Sequence, residues 1–187
     1  SNVSFVENGQ RIAFDISPVN TVLNFYAQHF NIEYDNKGAI ARSGNLNQKL
    51  FEELNNVSYY HSKHPKSLGF EFVKETVLPM IEKYPIAIAD KMHTFTIHVA
   101  FQIATALTEK KSNLLITGGG AYNDFLIAQI HRFLPNMAVI IPDKKILEFK
   151  EALIFSLLGV LKLRGQINVL SSVTGAKLDH SSGQVYS

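Results

Sequence analysis

Cysteine is absent from the 187 residues, which removes disulfides, thiolate metal sites and a cysteine nucleophile, and fits a reducing, cytoplasmic setting. Long apolar runs are missing too. The longest, Ala152 to Leu161, is interrupted by Ser156 and Gly159 and falls far short of the roughly 20 residues that span a bilayer. Charge of one sign is scarce. The formal net charge is +2, no Lys/Arg stripe exists, and aromatic residues are not interleaved with basic ones. Neither nucleic acid nor an anionic membrane is therefore an expected partner. The chain opens Ser1-Asn2-Val3-Ser4-Phe5, without an initiator Met, a basic stretch or an apolar h-region, and its first residues already read as strand. We expect further polypeptide upstream.

What is present is the composition of a globular domain, 46% hydrophobic and 18% charged, long enough to bury a real core. No repeat or linker divides it. Val3 to Val6 and Arg11 to Asp15 read as strands joined at Asn8-Gly9, the pair that suits a type I′ turn. A helix is predicted from Asn20 or Thr21 to about Phe30. Residues 31 to 70 read as polar and irregular, with a short helix over Asn47 to Asn55. Glu71 to Tyr84 reads as helix broken by Pro79. From about Asp90 to Lys110, Met92, Phe95, Val99, Ile103, Ala106 and Leu107 recur at helical spacing. An alternating pattern follows: strand Leu114–Thr117, helix Asp124–Phe133, strand Ala138–Ile141, and a helix over Leu147–Leu163. That last helix is apolar nearly all round and is expected to be buried. The tail from Gly165 reads as irregular. The order predicts an α/β fold, a mixed sheet with helices on both faces, whose ligand end lies at the carboxyl ends of its strands.

Three features could carry chemistry. Thr117-Gly118-Gly119-Gly120-Ala121-Tyr122-Asn123 lies between a strand and a helix. Glycines let backbone approach a flat or anionic ligand, and a helix start offers free N–H groups. The loop is neither a Walker loop nor a GxGxxG fingerprint. On the residues alone it reads equally as a nucleotide cradle and as a tight turn. Asp15 ends a strand beside a Pro-containing turn, where a carboxylate can act as a general base or merely cap the turn. Glu151 lies on the helix expected to be buried, so its carboxylate needs ligand hydroxyls or an ion pair with a lysine or arginine such as Lys144, Lys145, Lys150 or Arg164. The histidines His61, His64, His93, His98 and His180 lack metal-ligand spacing, and no GxSxG elbow occurs.

Several segments together resemble the anhydro-N-acetylmuramic acid kinase family. Phe14-Asp15-Ile16-Ser17-Pro18-Val19-Asn20 is similar to its FDTGPGN turn. Leu115-Ile116-Thr117-Gly118-Gly119-Gly120-Ala121-Tyr122-Asn123 is similar to its TGGGAxN motif. Glu151-Ala152-Leu153-Ile154-Phe155, followed by Asn168-Val169-Leu170-Ser171-Ser172-Val173-Thr174-Gly175-Ala176, resembles its carboxy-terminal end. Ala41-Arg42-Ser43-Gly44 with Asn47, and Pro65-Lys66-Ser67-Leu68-Gly69, are weaker echoes. The resemblance runs over all 187 residues in order.

This resemblance implies the mixed-sheet lobe of the actin-like ATPase (ribonuclease H-like) fold. Residues 1–187 would be the carboxy-terminal lobe of a two-lobed sugar kinase whose amino-terminal lobe is absent. ATP, with Mg²⁺ carried by it, and 1,6-anhydro-N-acetylmuramic acid would be its ligands. The family reaction opens the anhydro ring with water and phosphorylates O6, giving N-acetylmuramic acid 6-phosphate for peptidoglycan recycling. Residue by residue, Asp15 matches the base that activates the water. Gly118, Gly119, Gly120 and Asn123 match the adenosine loop, with Asn2 at the edge of a second phosphate hairpin. Asp15, Asn20 and Glu151 match sugar contacts. Ile16, Ser17 and Val19 depart from the family's Thr, Gly and Gly, which adds bulk beside the sugar. Nothing resembles the SGTSxDG phosphate loop of the other lobe, so the isolated chain is expected to fold without kinase activity, and uncovered apolar surface predicts a homodimer. The alternative is a non-catalytic nucleotide-binding or interaction module on the same fold. An unrelated oxidoreductase ranks last, because GxGxxG and a ribose-binding acid are missing.

Overall fold

The computed structural model describes residues 1–107 and 113–186. Strands β1 (Asn2–Glu7) and β2 (Gln10–Asp15) form an antiparallel hairpin in the register Glu7↔Gln10 to Asn2↔Asp15. Asn8 and Gly9 both take positive φ, 49° and 78°, as the type I′ turn requires. Helix α1 (Asn20–Ala27) follows and runs on through a 3₁₀ turn to Phe30, ending where Asn31 turns left-handed at φ 56°.

Residues 31 to 70 hold more helix than their composition predicts. Besides α3 (Gln48–Asn55) there are α2 (Ala39–Ser43) and α4 (Ser58–His61). Side-chain capping explains the first two. Asp35 accepts hydrogen bonds from the amides of Ile40 and Ala41, each at 2.9 Å, and Asn47 accepts one from Leu50 at 2.9 Å. Pro79 does not break the next stretch. Short α5 (Phe70–Phe72) passes through a π turn, Val73–Val77, into α6 (Leu78–Glu82), where Pro79 stands in the first turn. The wider turn leaves the missing proline N–H without cost.

Central helix α7 (Ile88–Leu107) is buried on most sides, with Met92, Phe95 and Val99 fully enclosed. The predicted continuation to Lys110 lies outside the described residues. Strand β3 (Leu114–Leu115), α8 (Asp124–Phe133) and β4 (Val139–Ile140) come next, with β3 and β4 parallel. Phe125, Leu126 and Ile130 bury one side of α8 against α7. Asp143 then caps α9 (Lys144–Leu163), accepting from Ile146 at 3.1 Å, and a short α10 (Ser171–Thr174) docks on β2.

The architecture is mixed α/β, with helices flanking small sheets. The strands form two separate ladders, β1–β2 and β3–β4. One expectation fails: α9 has no buried residue, and Phe149, Leu153 and Phe155 are 63%, 65% and 70% exposed. An apolar sequence demands a partner surface but does not say that the same chain supplies it. No helix among the described residues is long and apolar enough to cross a membrane.

Candidate functional site

Asp15 is placed by the hairpin and held by the segment 65–69. Its amide donates to the Lys66 carbonyl at 3.1 Å, and its Oδ2 accepts from the Leu68 amide at 2.8 Å. Tyr59 donates its hydroxyl to the Asp15 carbonyl at 2.7 Å. Burial, with the Asp15 charge adding to it, pushes that phenol well above the ordinary tyrosine range, so Tyr59 stays a protonated donor. Lys66 packs its ammonium over the Tyr59 ring, 4.6 Å from the centroid, and donates to the Tyr59 carbonyl at 3.0 Å. Partial burial lowers the Lys66 pKa. The weak sequence echo at Pro65–Gly69 is thus what orients Asp15. Among the described residues Oδ2 alone receives a hydrogen bond, so Oδ1 can take a water or a ligand hydroxyl.

The glycine loop follows β3. Gly118 takes φ 82°, a conformation that favours glycine, and Gly119–Tyr122 form a 3₁₀ turn. Gly119 is constrained by a neighbour rather than by φ. A Cβ there would sit 2.9 Å from Nδ2 of Asn20, so the loop and the start of α1 meet at this point. Asn123 is buried, and its Oδ1 caps α8 by accepting from the Leu126 amide at 2.9 Å.

These parts open into one cavity of about 540 Å³. Asn2, Asp15, Asn20, Gly119 and Gly120 all line it, and Val19 stands beside them. Gly118, Asn123 and Glu151 do not. Glu151 is exposed on α9 and forms no ion pair among the described residues, whereas its neighbour Lys150 reaches the cavity. The expected buried carboxylate is therefore corrected: α9 lacks a covering surface, so nothing desolvates Glu151. Lys150 and Thr117, neither proposed from sequence as a ligand contact, belong to the lining. Thr117 had a signal, since it ends the strand that leads into the glycines. The departures Ile16 and Ser17 are buried and belong to the cavity lining, with Ser17 Oγ 3.0 Å from the Pro18 carbonyl.

The polar mouth can accept a hydroxyl proton at Asp15, offer an amide at Asn20, and admit a flat or anionic group over Gly119. Among the described residues no three His, Asp or Glu side chains cluster as a metal site.

Small sheets flanked by helices, with a strand–glycine–helix turn at the cavity, are consistent with the actin/hexokinase/Hsp70 fold. Comparison with known proteins is more particular. A sequence model of the family described as anhydro-N-acetylmuramic acid kinase matches residues 1–187. The anhydro-N-acetylmuramic acid kinase of Xylella fastidiosa is 35% identical over 181 residues, covering 90% of this chain and 46% of that protein. That of Francisella tularensis subsp. novicida is 34% identical, covering 92% and 48%, and that of Aliivibrio fischeri 30% identical, covering 100% and 53%. The chain belongs to the anhydro-N-acetylmuramic acid kinase family. It spans about half the length of these curated relatives.

Proposed function

We propose that residues 1–187 are the carboxy-terminal lobe of an ATP-dependent kinase. That kinase would open 1,6-anhydro-N-acetylmuramic acid with water and phosphorylate the released oxygen, in peptidoglycan recycling. Family membership supports the kinase class. The observation that carries the site assignment is the meeting of Asp15, Asn20 and Gly119–Gly120 in one cavity.

In this reading Asp15 Oδ1 takes a proton from water, and the hydroxyl oxygen bonds to the anomeric carbon. The bond from that carbon to O6 breaks, and O6 takes the terminal phosphoryl group of ATP, leaving ADP. Gly118, Gly119 and Gly120 admit the adenosine, with Asn2 near the phosphates and Asn123 shaping the loop through its cap. Asn20 holds a sugar hydroxyl, and Val19 narrows that side. Glu151 keeps its place as a sugar contact only through the family motif; Lys150, one residue away, is the side chain at the cavity. Mg²⁺ accompanies ATP and neutralises phosphate charge when bound. The other half of the full-length parent supplies the rest of the phosphate grip, so residues 1–187 by themselves should release no ADP from ATP and the anhydro-sugar.

The test is Asp15→Asn in the full-length parent. Turnover should fall about 10²–10⁴-fold with ATP binding near normal, because the shape stays and the basicity goes. A capping role predicts preserved activity and stability, since Asn caps nearly as well as Asp. Near-normal turnover removes Asp15 from the chemistry.

A further inference from the structure

A second cavity, of about 300 Å³, is separate from the one that holds Asp15. Side chains alternate along a strand, so Phe14 of β2 lines the second cavity while Asp15 lines the first. Ile16, just past the strand, borders both. Small-molecule sites enclose about 300–1,000 Å³, and this cavity stands at the lower end of that range.

Its charge is one-sided. Lys63, His64 and Lys66 line it, and among the described residues no aspartate or glutamate does. Neither lysine forms an ion pair among the described residues. That is unusual for Lys66, whose ammonium is partly desolvated, because a cation drawn from water is ordinarily met by a carboxylate. Its protein partners are the Tyr59 carbonyl at 3.0 Å and the rings of Tyr59 and Phe14, 4.6 and 5.8 Å from their centroids. One carbonyl uses one of the three ammonium N–H groups, so two remain for an anion. His64 is fixed flat against Phe14, with ring centroids 5.4 Å apart and planes 10° from parallel, and it adds positive charge when protonated.

The rest of the lining asks for more than a bare ion. Phe14, Ile16 and Ala106 supply apolar surface that a carbon skeleton can cover. Tyr60 brings a hydroxyl whose nearest partner, Ser17 Oγ, is 3.4 Å away, at the long limit of a hydrogen bond. Burial pushes that phenol up to about 12, so it is a donor at neutral pH. Gln102 donates its Nε2 to Asn55 at 2.7 Å, which leaves its Oε1 as an acceptor for a ligand hydroxyl. Two unpaired lysines, one hydroxyl donor and one amide acceptor around an apolar patch fit a compact molecule that carries both a phosphate and hydroxyl groups.

We propose that this cavity is a second ligand site, for a small hydroxylated phosphate monoester of hexose phosphate size. Lys63, Lys66 and His64 hold the phosphate, and Tyr60 and Gln102 meet the hydroxyls. The site needs nothing from the reaction proposed at Asp15.

The test uses the full-length parent, with glucose 6-phosphate as the probe and glucose and inorganic phosphate as controls. Calorimetry reads the affinity, and amide exchange followed by mass spectrometry locates the ligand. Glucose 6-phosphate should bind and slow exchange over residues 60–66 while leaving residues 117–123 unchanged. Glucose lacks the anion and inorganic phosphate lacks the hydroxyls, so each should bind more weakly by about tenfold or more. Lys63→Glu alters an exposed side chain outside the kinase site. It should weaken glucose 6-phosphate binding by about tenfold or more, with melting temperature and kinase turnover unchanged. Lys63→Gln should weaken binding in the same direction and decides the matter if charge reversal prevents folding. No binding of glucose 6-phosphate, equal binding of either control, protection confined to residues 117–123, or unchanged affinity in a folded Lys63 variant overturns the proposal. Turnover of ATP and the anhydro-sugar by the unaltered parent is measured separately and reports on the kinase reading alone.

Discussion

Replacing Gly119 by alanine tests the glycine loop at the scale of one methyl group. The added Cβ would lie 2.9 Å from Asn20 Nδ2, while an unstrained contact is about 3.5 Å or more. The obstacle is the end of a flexible side chain, so Asn20 retreats by about half an ångström and the fold survives. Gly119, unlike Gly118, does not need positive φ, which removes backbone strain as an explanation of any effect. A hydrogen bond of about 2.9 Å from the Asn20 amide to the sugar hydroxyl would stretch to about 3.5 Å and be lost, while the new methyl crowds the loop assigned to the nucleotide. One such bond is worth about 0.5–1.5 kcal/mol, or roughly 2–13-fold in affinity. Valine, with two further methyls, should cost more. In the full-length parent, calorimetry should show weaker ATP binding for both variants. The KM for the sugar should rise with it, because Asn20 and the loop touch. Melting temperature on the same proteins controls for folding. Unchanged ATP affinity in a folded Gly119→Val protein would refute the assignment of this loop to the nucleotide.

Asn123→Ala should lower stability by about 1 kcal/mol, or some 2–4 °C, because the α8 cap at Leu126 is lost. Asn123→Asp should restore most of it, and calorimetric unfolding separates the three proteins. Burial depresses the His98 pKa to about 3 from its ordinary 6.5. Its Nδ1 donates to Asn55 Oδ1 at 2.8 Å, an oxygen that Gln102 also bonds at 2.7 Å, and among the described residues its buried Nε2 has no partner. The unfolded chain therefore binds the proton first, and this contribution to stability is full above about pH 6.5 and is lost as pH falls toward 3. Wild-type stability minus that of His98→Gln should decline by up to about 1.4 kcal/mol per pH unit across that window. A flat difference in urea titrations would mean that His98 is not held neutral.

Much of this protein is legible before any coordinates. Asn8-Gly9 specifies the hairpin turn locally, since few other pairs accept positive φ at both positions. Asn47 and Asn123 stand at the starts of α3 and α8 because a capping oxygen acts within three residues, whereas α9 begins at Lys144, about a turn before the predicted Leu147. Helical spacing places Phe95 and Val99 in the core, and the glycine and aspartate motifs point to one family. Other features depended on distant contacts. That Leu68, 53 residues away, fixes the Asp15 carboxylate follows from how the 65–69 segment crosses β2. The approach of Asn20 to Gly119 needs α1 and the β3 loop to be brought together. Burial of α9 was the expectation that failed: hydrophobicity measures the drive to leave water, whereas burial requires a surface to leave it for. Only the tertiary structure shows that surface divided, with β1 and β3 on opposite sides of a gap. A strand's sequence records its own preference to extend, but the identity of its neighbour is a property of the assembled sheet.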